Sequence, residues 1–287
     1  MAANRRAAFV LFSNNEATLE RCLRSLRPAF DFILAVDTGA SDRSTAIARD
    51  AADQVLRVQW QGFGHARAAA LEELRRQDDL RWGFYLDSDE WLPPEEVTRL
   101  RAAMDRLPPG GWKVRRLNFV DTPARKYLWC VDERVRLFSP DAARWTASQL
   151  VHEAFPPGRY GQLDVSVHHD FVVSEGARLE KELLYAILWA AQNAGRRSGS
   201  PPRLAATLHF VRDVLVRGAM FRGGLHAVRL ARELSAYALW KHRLLTPRGL
   251  TALAPIRELL EQGRPTDLFP AARRLAAELA TTGRLPA

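Results

Sequence analysis

The sequence predicts an α/β fold with a mostly parallel sheet, helices on both of its faces, and a helical extension at the C-terminal end. Three patterns carry that expectation. Up to residue 110, short apolar runs alternate with amphipathic stretches of helical period. The runs are nearly continuous in apolar residues, as strands buried on both faces must be. From residue 176 onward the pattern is helical almost throughout.

The elements follow in order. AAFVLFS (7–13) is a buried strand. In NNEATLERCLRSLRP, Leu19, Cys22, Leu23 and Leu26 fall on one helical face, with Ser13, Asn14 or Asn15 as the expected cap. FILAVDTG (32–39) is a second strand ending in Asp37, and ASDRSTAIARDAA a helix capped by Ser41 or Asp42. QVLRVQW (54–60) is a third strand, and GFGHARAAALEELRR turns into a third helix. WGFYLDSDE is a fourth strand, and PPEEVTRLRAAMDRL a helix with Pro94 suited to its first turn. WKVRRLNFV (112–120) and ERVRLFS (133–139) alternate partially, which predicts an antiparallel addition to the sheet. GRRSGSPPR (195–203) is a loop between helices. The domains expected are 1–175, carrying the sheet, and 176–287, a basic amphipathic helical extension.

Composition narrows the class. With 47% hydrophobic residues the chain can build a core. Two cysteines, Cys22 and Cys130, are too few for a disulfide framework and suit a reducing compartment. The N-terminus lacks a signal-peptide core, and the longest apolar run, LLYAILWAA (183–191), is less than half of the roughly 20 residues a spanning helix needs. A cytoplasmic protein is expected, peripheral at most to the inner membrane face. Residues 1–175 carry 24 Lys and Arg against 25 Asp and Glu, whereas 176–287 carry 18 against 8, so the positive field belongs to the helical extension. Such a field suits an anionic membrane surface or a phosphorylated glycan, and equally a solvated helix surface. Nucleic acid is not expected, because aromatic and base-reading motifs are not arranged around those charges.

Four stretches can carry chemistry. Asp87-Ser88-Asp89 closes a buried strand, where two carboxylates one residue apart can share a hard cation such as Mg²⁺ or Mn²⁺. The same acids also suit the positive start of the helix near Pro94. VDTGASDRS (36–44) brings a strand-end Asp and small residues to a helix start, a turn that can meet a nucleotide or simply connect two elements. WQGFGHARAAAL (60–71) puts two glycines before Arg67, which can clamp a diphosphate. In LVHEAF (150–155), Glu153 can serve as a general base, or pair with His152 as a structural hydrogen bond.

Together NNEATLERCLRSL, VDTGASDRST, WQGFGHARAAAL and YLDSDEWL resemble, in order and spacing, glycosyltransferase family 2. RVRLFS, VHE and the helical segment 217–244 are similar to its branch of lipopolysaccharide core β-glucosyltransferases. The resemblance implies a GT-A fold, a nucleotide-sugar donor (a UDP-hexose first), a divalent metal (Mg²⁺ or Mn²⁺) and inversion at the anomeric carbon. It further implies nucleotide contacts from Asn15, Glu16, Asp37, Gly39 and Asp87, donor phosphates facing Arg67, metal held by Asp89, Asp87 and His169, and Glu153 as base beside His152. His168, adjacent to His169, leaves open which of the two approaches the metal. Arg67-Ala68 departs from the family's usual Lys/Arg-Asn, and VDERVRL keeps Asp132 without the preceding proline. The acceptor implied is a glycan or a lipid-linked glycan. Transfer to a polyprenyl phosphate and nucleotide-sugar binding without catalysis are the alternatives.

Overall fold

The computed structural model describes residues 5–151, 155–156, 158–172, 178–195 and 201–286. His152 and Glu153 lie outside the described residues. The strands are β1 (Arg5–Phe12), β2 (Phe32–Asp37), β3 (Gln54–Arg57), β4 (Leu80–Asp87), β5 (Glu90–Trp91), β6 (Gly111–Thr122), β7 (Arg125–Phe138) and β8 (Gly161–Val172). The helices are α1 (Leu19–Leu26), α2 (Ser44–Ala51), α3 (Phe63–Arg75), α4 (Pro94–Arg106), α5 (Arg178–Gln192), α6 (Pro202–Val211), α7 (Ala219–Arg243), α8 (Pro247–Glu261) and α9 (Pro265–Thr282).

One sheet holds all eight strands, in the order β3-β2-β1-β4-β7-β6-β8-β5. The first four are mutually parallel, Phe12 pairing with Asp37 and Leu11 with Asp87. That register sets Asp37 and Asp87 side by side at the carboxyl edge, where ligands collect in such sheets. β7 joins β4 antiparallel through Gly83–Phe138, and β5 pairs antiparallel with β8. The expected antiparallel addition is therefore present. It is larger than the sequence suggested, because β5 and β8 take part in it.

Strand alternation explains the continuous apolar runs. Ala8, Val10 and Phe12 of β1 join Leu19, Cys22 and Leu23 of α1 in one core. Ala7, Phe9 and Leu11 point the other way, to Ala66, Ala70 and Leu74 of α3. Tyr85 of β4 and Phe138 of β7 share this second face, whereas Phe84, Leu86 and Leu137 belong to the first. By the same period of two, Asp87 and Arg136 fall on the α3 face.

Two helix starts differ from expectation. α1 begins at Leu19, with Thr18 before it and no side-chain cap, and α2 begins at Ser44. Asp42, an expected cap of α2, does accept the Ser44 amide on Oδ1 at 2.9 Å, while the other candidates have different tasks. Asn14 Oδ1 accepts from the Ser41 amide at 2.8 Å, and the Asn15 amide donates to Ser44 Oγ at 2.8 Å. The two loops are thus stitched to each other, and Asn14 Oδ1 is spent on that stitch rather than on the start of α1. Pro94 does occupy the first turn of α4.

The chain divides into two compact units. One gathers the residues up to Phe119, Val131–Ser148 and a stretch ending at Phe171; the other takes Val120–Cys130, a short piece from Gln149, and the chain from Val172. In the second unit, α5 packs with α7, α8 and α9, α6 packs with α7, and α7 meets the tip of the β6–β7 hairpin. Arg222 of α7 donates to the carbonyls of Leu128 (2.6 Å) and Trp129 (2.8 Å), and Tyr127 shares a hydrogen bond with His226 Nδ1 at 2.8 Å. A Cβ at Gly223 would lie 2.4 Å from the Tyr127 ring, so the close approach requires glycine. Among the described residues, no helix is long and apolar enough to cross a membrane.

Candidate active site

The carboxyl edge of β1, β2 and β4 builds the site. Asp37 ends β2 and is buried. Its Oδ1 accepts from the amides of Gly39 (2.9 Å) and Ala40 (2.8 Å), and Oδ2 from Thr45 Oγ1 at 3.0 Å. The carboxylate thereby shapes the β2–α2 turn. Gly39 has φ +113°, and the space where its Cβ would point is open. Asn15 and Glu16 stand beside this turn. Asn15 Oδ1 takes the Ser13 amide at 2.9 Å, and the Glu16 amide donates to Asp42 Oδ2 at 3.2 Å.

The acids of residues 87–90 separate into different environments. Asp87 Oδ1 accepts from Arg67 Nη2 at 2.8 Å, and its Oδ2 from Arg136 Nη2 at 3.0 Å. Burial opposes its charge, yet Arg136, Arg67 and Arg116 outweigh that and hold its pKa far below the usual carboxylate range. Both Arg67 and Arg136 lie over the Tyr85 ring, at 4.5 and 4.4 Å. Glu90 is completely buried and forms an ion pair with Arg136. It also meets Arg116 Nη1 at 3.3 Å and accepts the Asp87 amide at 3.1 Å. Arg116 in turn grips Asp132 with two hydrogen bonds, at 2.9 and 2.7 Å. Asp87, Glu90 and Asp132 with Arg67, Arg116 and Arg136 form a charge lattice, centred on buried Glu90 and Arg136, that fixes the end of β4.

Asp89 has a different surrounding. Its Oδ2 lies 3.5 Å from His169 Nε2, while His169 Nδ1 is hydrogen-bonded to Asn118 Oδ1 at 2.6 Å. The β5–β8 register, Glu90 opposite His169 and Trp91 opposite His168, sends the two histidines to opposite faces. His168 packs edge-on against Trp91, with ring centroids 4.8 Å apart, and near Phe119. The histidine that accompanies Asp89 is therefore His169.

These residues suit a divalent cation in a specific way. Asp89 offers oxygen and His169 nitrogen, and the Asn118 bond orients the ring as metal-binding histidines require. Among the described residues, no three His, Cys, Asp or Glu side chains gather as a closed metal cluster. Two protein donors would leave room for diphosphate oxygens and water, and the nitrogen of the pair would suit Mn²⁺ better than the harder Mg²⁺. Asp87, expected as a further ligand, has both oxygens on arginines.

Arg67, expected to face phosphates, is buried and holds Asp87. Cys22 of α1 lies behind the site, its thiol 3.5 Å from the Asp87 carbonyl; burial pushes its pKa up, and Glu90, Asp89 and Asp87 add to that. Sequence reasoning missed Arg116, Arg136 and Asn118. The one available signal was the parity Arg136 shares with Phe138; the mixed pattern of β6 and β7 gave none for Arg116 or Asn118.

Known proteins are similar to this chain. The model of "Glycosyl transferase family 2" matches residues 8–152. The lipopolysaccharide core biosynthesis glycosyltransferase LpsC of Rhizobium meliloti (strain 1021) is 28% identical, over 81% of this chain and 88% of that protein. S. aureus TarS 1–349, solved in complex with UDP, is 15% identical over 98% of this chain and 92% of that one, with a TM-score of 0.40. Glucosyl-3-phosphoglycerate synthase of Mycobacterium tuberculosis, solved with Mn²⁺, UDP and its product, is 22% identical over 40% of this chain, with a TM-score of 0.33. The alignment covers 45% of that synthase, so this chain spans less than half of it. The family match runs from β1 through β7 and so takes in the strands that deliver Asp37, Asp87 and Arg136. The chain belongs to glycosyl transferase family 2, and it is a glycosyltransferase with a GT-A-like fold and C-terminal helices.

Proposed function

We propose that the chain transfers a sugar from a nucleotide-sugar donor, a UDP-hexose first, to a hydroxyl of a glycan or lipid-linked acceptor, with inversion and with Mg²⁺ or Mn²⁺. Lipopolysaccharide core or cell-surface polysaccharide synthesis is the setting, supported by the relationship to LpsC. The observation that carries the reading is the separation of Asp87 from Asp89. Two arginines hold Asp87 as structure, whereas Asp89 faces His169 at 3.5 Å. In this reading Asp89 and His169 hold the cation. Bound there, it supplies the positive charge that a departing diphosphate needs.

The protein's own groups do the rest. Asp37 keeps the β2–α2 turn folded, and with Gly39 presents open backbone to the nucleoside. Arg67 and Arg136 hold Asp87, and through it the 87–90 turn, in one geometry, so that little reorganisation accompanies transfer. A direct displacement needs the acceptor hydroxyl deprotonated, and Glu153, beside His152, is the base in this proposal. The protein works in the cytoplasm against an anionic membrane surface, a partner supported by the excess of 18 basic over 8 acidic residues in 176–287.

The test is nucleotide release from a panel of UDP- and GDP-sugars, with and without Mn²⁺, on the wild type and Asp89→Ala. Release that depends on Mn²⁺ and collapses in Asp89→Ala is expected. Undiminished activity of that variant with metal overturns the site. An unaffected Glu153→Gln removes the base assignment and points to a phosphate acceptor, which needs no protein base.

A further inference from the structure

The second unit carries large apolar side chains in water along one continuous segment. Leu204 and Leu208 lie on α6 one turn apart, and Leu215 follows on the π-turn Arg212–Val216 that extends it. Val216, Phe221 and Leu225 are 80, 79 and 78% exposed, more than any other large apolar residue described. Two glycines make this possible. Gly218 is left-handed at φ +65° and reverses the chain after the π-turn, and Gly224 at φ +56° breaks α7 one turn after it starts. The helical segment is thereby folded into a knuckle whose tip carries Val216, Phe221 and Leu225. Soluble surfaces rarely keep such a patch without a partner.

Its surroundings indicate which partner. Between residues 203 and 232 there are six arginines and one acid, Asp213. Asp213 is buried and engaged by Arg212 and Arg217, so it adds nothing negative to the surface. Arg229, four residues after Leu225 on α7, is exposed, as are Arg232 further along α7 and Arg203 at the start of α6, whereas the guanidinium of Arg222 is engaged by the carbonyls of Leu128 and Trp129. An apolar wedge carried on basic helices that add almost no acid to the surface is complementary to a bilayer interface, with acyl chains for the wedge and lipid phosphates for the exposed arginines along α6 and α7.

We propose that the knuckle from Leu204 to Leu225 inserts into the interface of an anionic bilayer, with Val216, Phe221 and Leu225 entering the acyl boundary. This rests on the reading of an anionic membrane as partner and adds to it a defined apolar anchor. Attraction by the basic helices alone would disappear with salt, whereas an inserted wedge retains binding once seated.

The full chain is sedimented with vesicles of pure phosphatidylglycerol or pure phosphatidylcholine, at low and high salt. The variants are Val216→Ser/Phe221→Ser and Arg203→Glu/Arg229→Glu, each checked by thermal melting. Expected is binding to phosphatidylglycerol that partly survives salt, a fall of about tenfold or more in the apolar variant, and a salt-like loss in the arginine variant. Wild-type binding that salt abolishes, unchanged in the apolar variant, overturns the anchor and leaves electrostatic docking standing. No binding to either vesicle overturns both. A concentration-dependent dimer that the apolar variant dissolves, without vesicle binding, assigns the face to a second copy of the chain. Nucleotide release from the donor in solution, measured on the same samples, keeps these outcomes separate from the transfer reaction.

Discussion

Arg67 Nη2 and Asp87 Oδ1 meet at 2.8 Å and tie the first turns of α3 to the last residue of β4. The guanidinium is buried and the carboxylate about one-third exposed, so the pair is worth more than a surface bridge and less than a fully buried one. Arg67→Ala leaves Asp87 to Arg136. A loss of about 1–3 kcal/mol in stability is expected, together with a rise of about tenfold in KM for the donor as the turn at 87–90 loosens. Denaturant unfolding and steady-state nucleotide release measure the two effects separately.

Glu90 should prove the structural member of the acidic run. It is completely buried against Arg136 and Arg116 and also receives the Asp87 amide. Glu90→Gln leaves two buried guanidinium groups short of a carboxylate, which costs about 3–5 kcal/mol. Urea unfolding should show the midpoint drop. A change under about 1 kcal/mol would mean that Asp87 and Asp132 carry the arginines unaided.

The two adjacent histidines give a sharp contrast in metal binding. His169→Ala removes the nitrogen near Asp89, whereas His168→Ala removes a ring packed on Trp91 and Phe119. Calorimetric titration of Mn²⁺ in the presence of UDP should weaken about tenfold to a hundredfold in His169→Ala and stay close to wild type in His168→Ala. Equal losses in both would dissolve the assignment of His169. Asn118→Ala should give an intermediate loss, because it frees the ring without removing it.

Asp132 sets an acid limit. Burial pushes its pKa up, but hydrogen bonds and charge from Arg116, with Arg134 nearby, bring it down to about 2. A depressed carboxyl stabilises the fold above its unfolded value, near 3.9, and that contribution is lost as pH falls toward about 2. Discounted for partial exposure, it amounts to about 1 kcal/mol. Melting curves of Asp132→Asn should lie below wild type at neutral pH and converge with it as pH falls through that window.

The sequence made the strand ends legible, and the reason is physical. Val36-Asp37 and Leu86-Asp87 each set a carboxylate directly after a doubly buried strand, a pattern that marks the end of the strand, where turn amides satisfy Asp37 and arginines satisfy Asp87. The lattice behind them was harder to see. Arg116 and Arg136 sit in strands of mixed pattern, where an arginine ordinarily signals the solvent face. Their burial depends on Glu90 and Asp132, partners that come together only when β6 and β7 fold back onto β4. The cap of α1 was misplaced for a similar reason: Asn14 Oδ1 satisfies Ser41 in a loop far along the chain, and Asn15 Oδ1 turns back to the Ser13 amide, which local helix rules do not register. His169 was separable from His168 only once the β5–β8 register was known.

The β6–β7 hairpin has a consequence for exchanging parts between relatives. Arg136 and Asp132 at its base belong with the sheet, whereas Tyr127, Leu128 and Trp129 near its tip are bound by α7. A recombinant chimera that swaps only the C-terminal helices would graft foreign side chains onto a native tip, leaving Arg222 and Gly223 without the surface they were fitted to. Inheritance of the helical unit is therefore coupled to an eleven-residue passenger, Val120–Cys130, embedded in the middle of the sheet-bearing half.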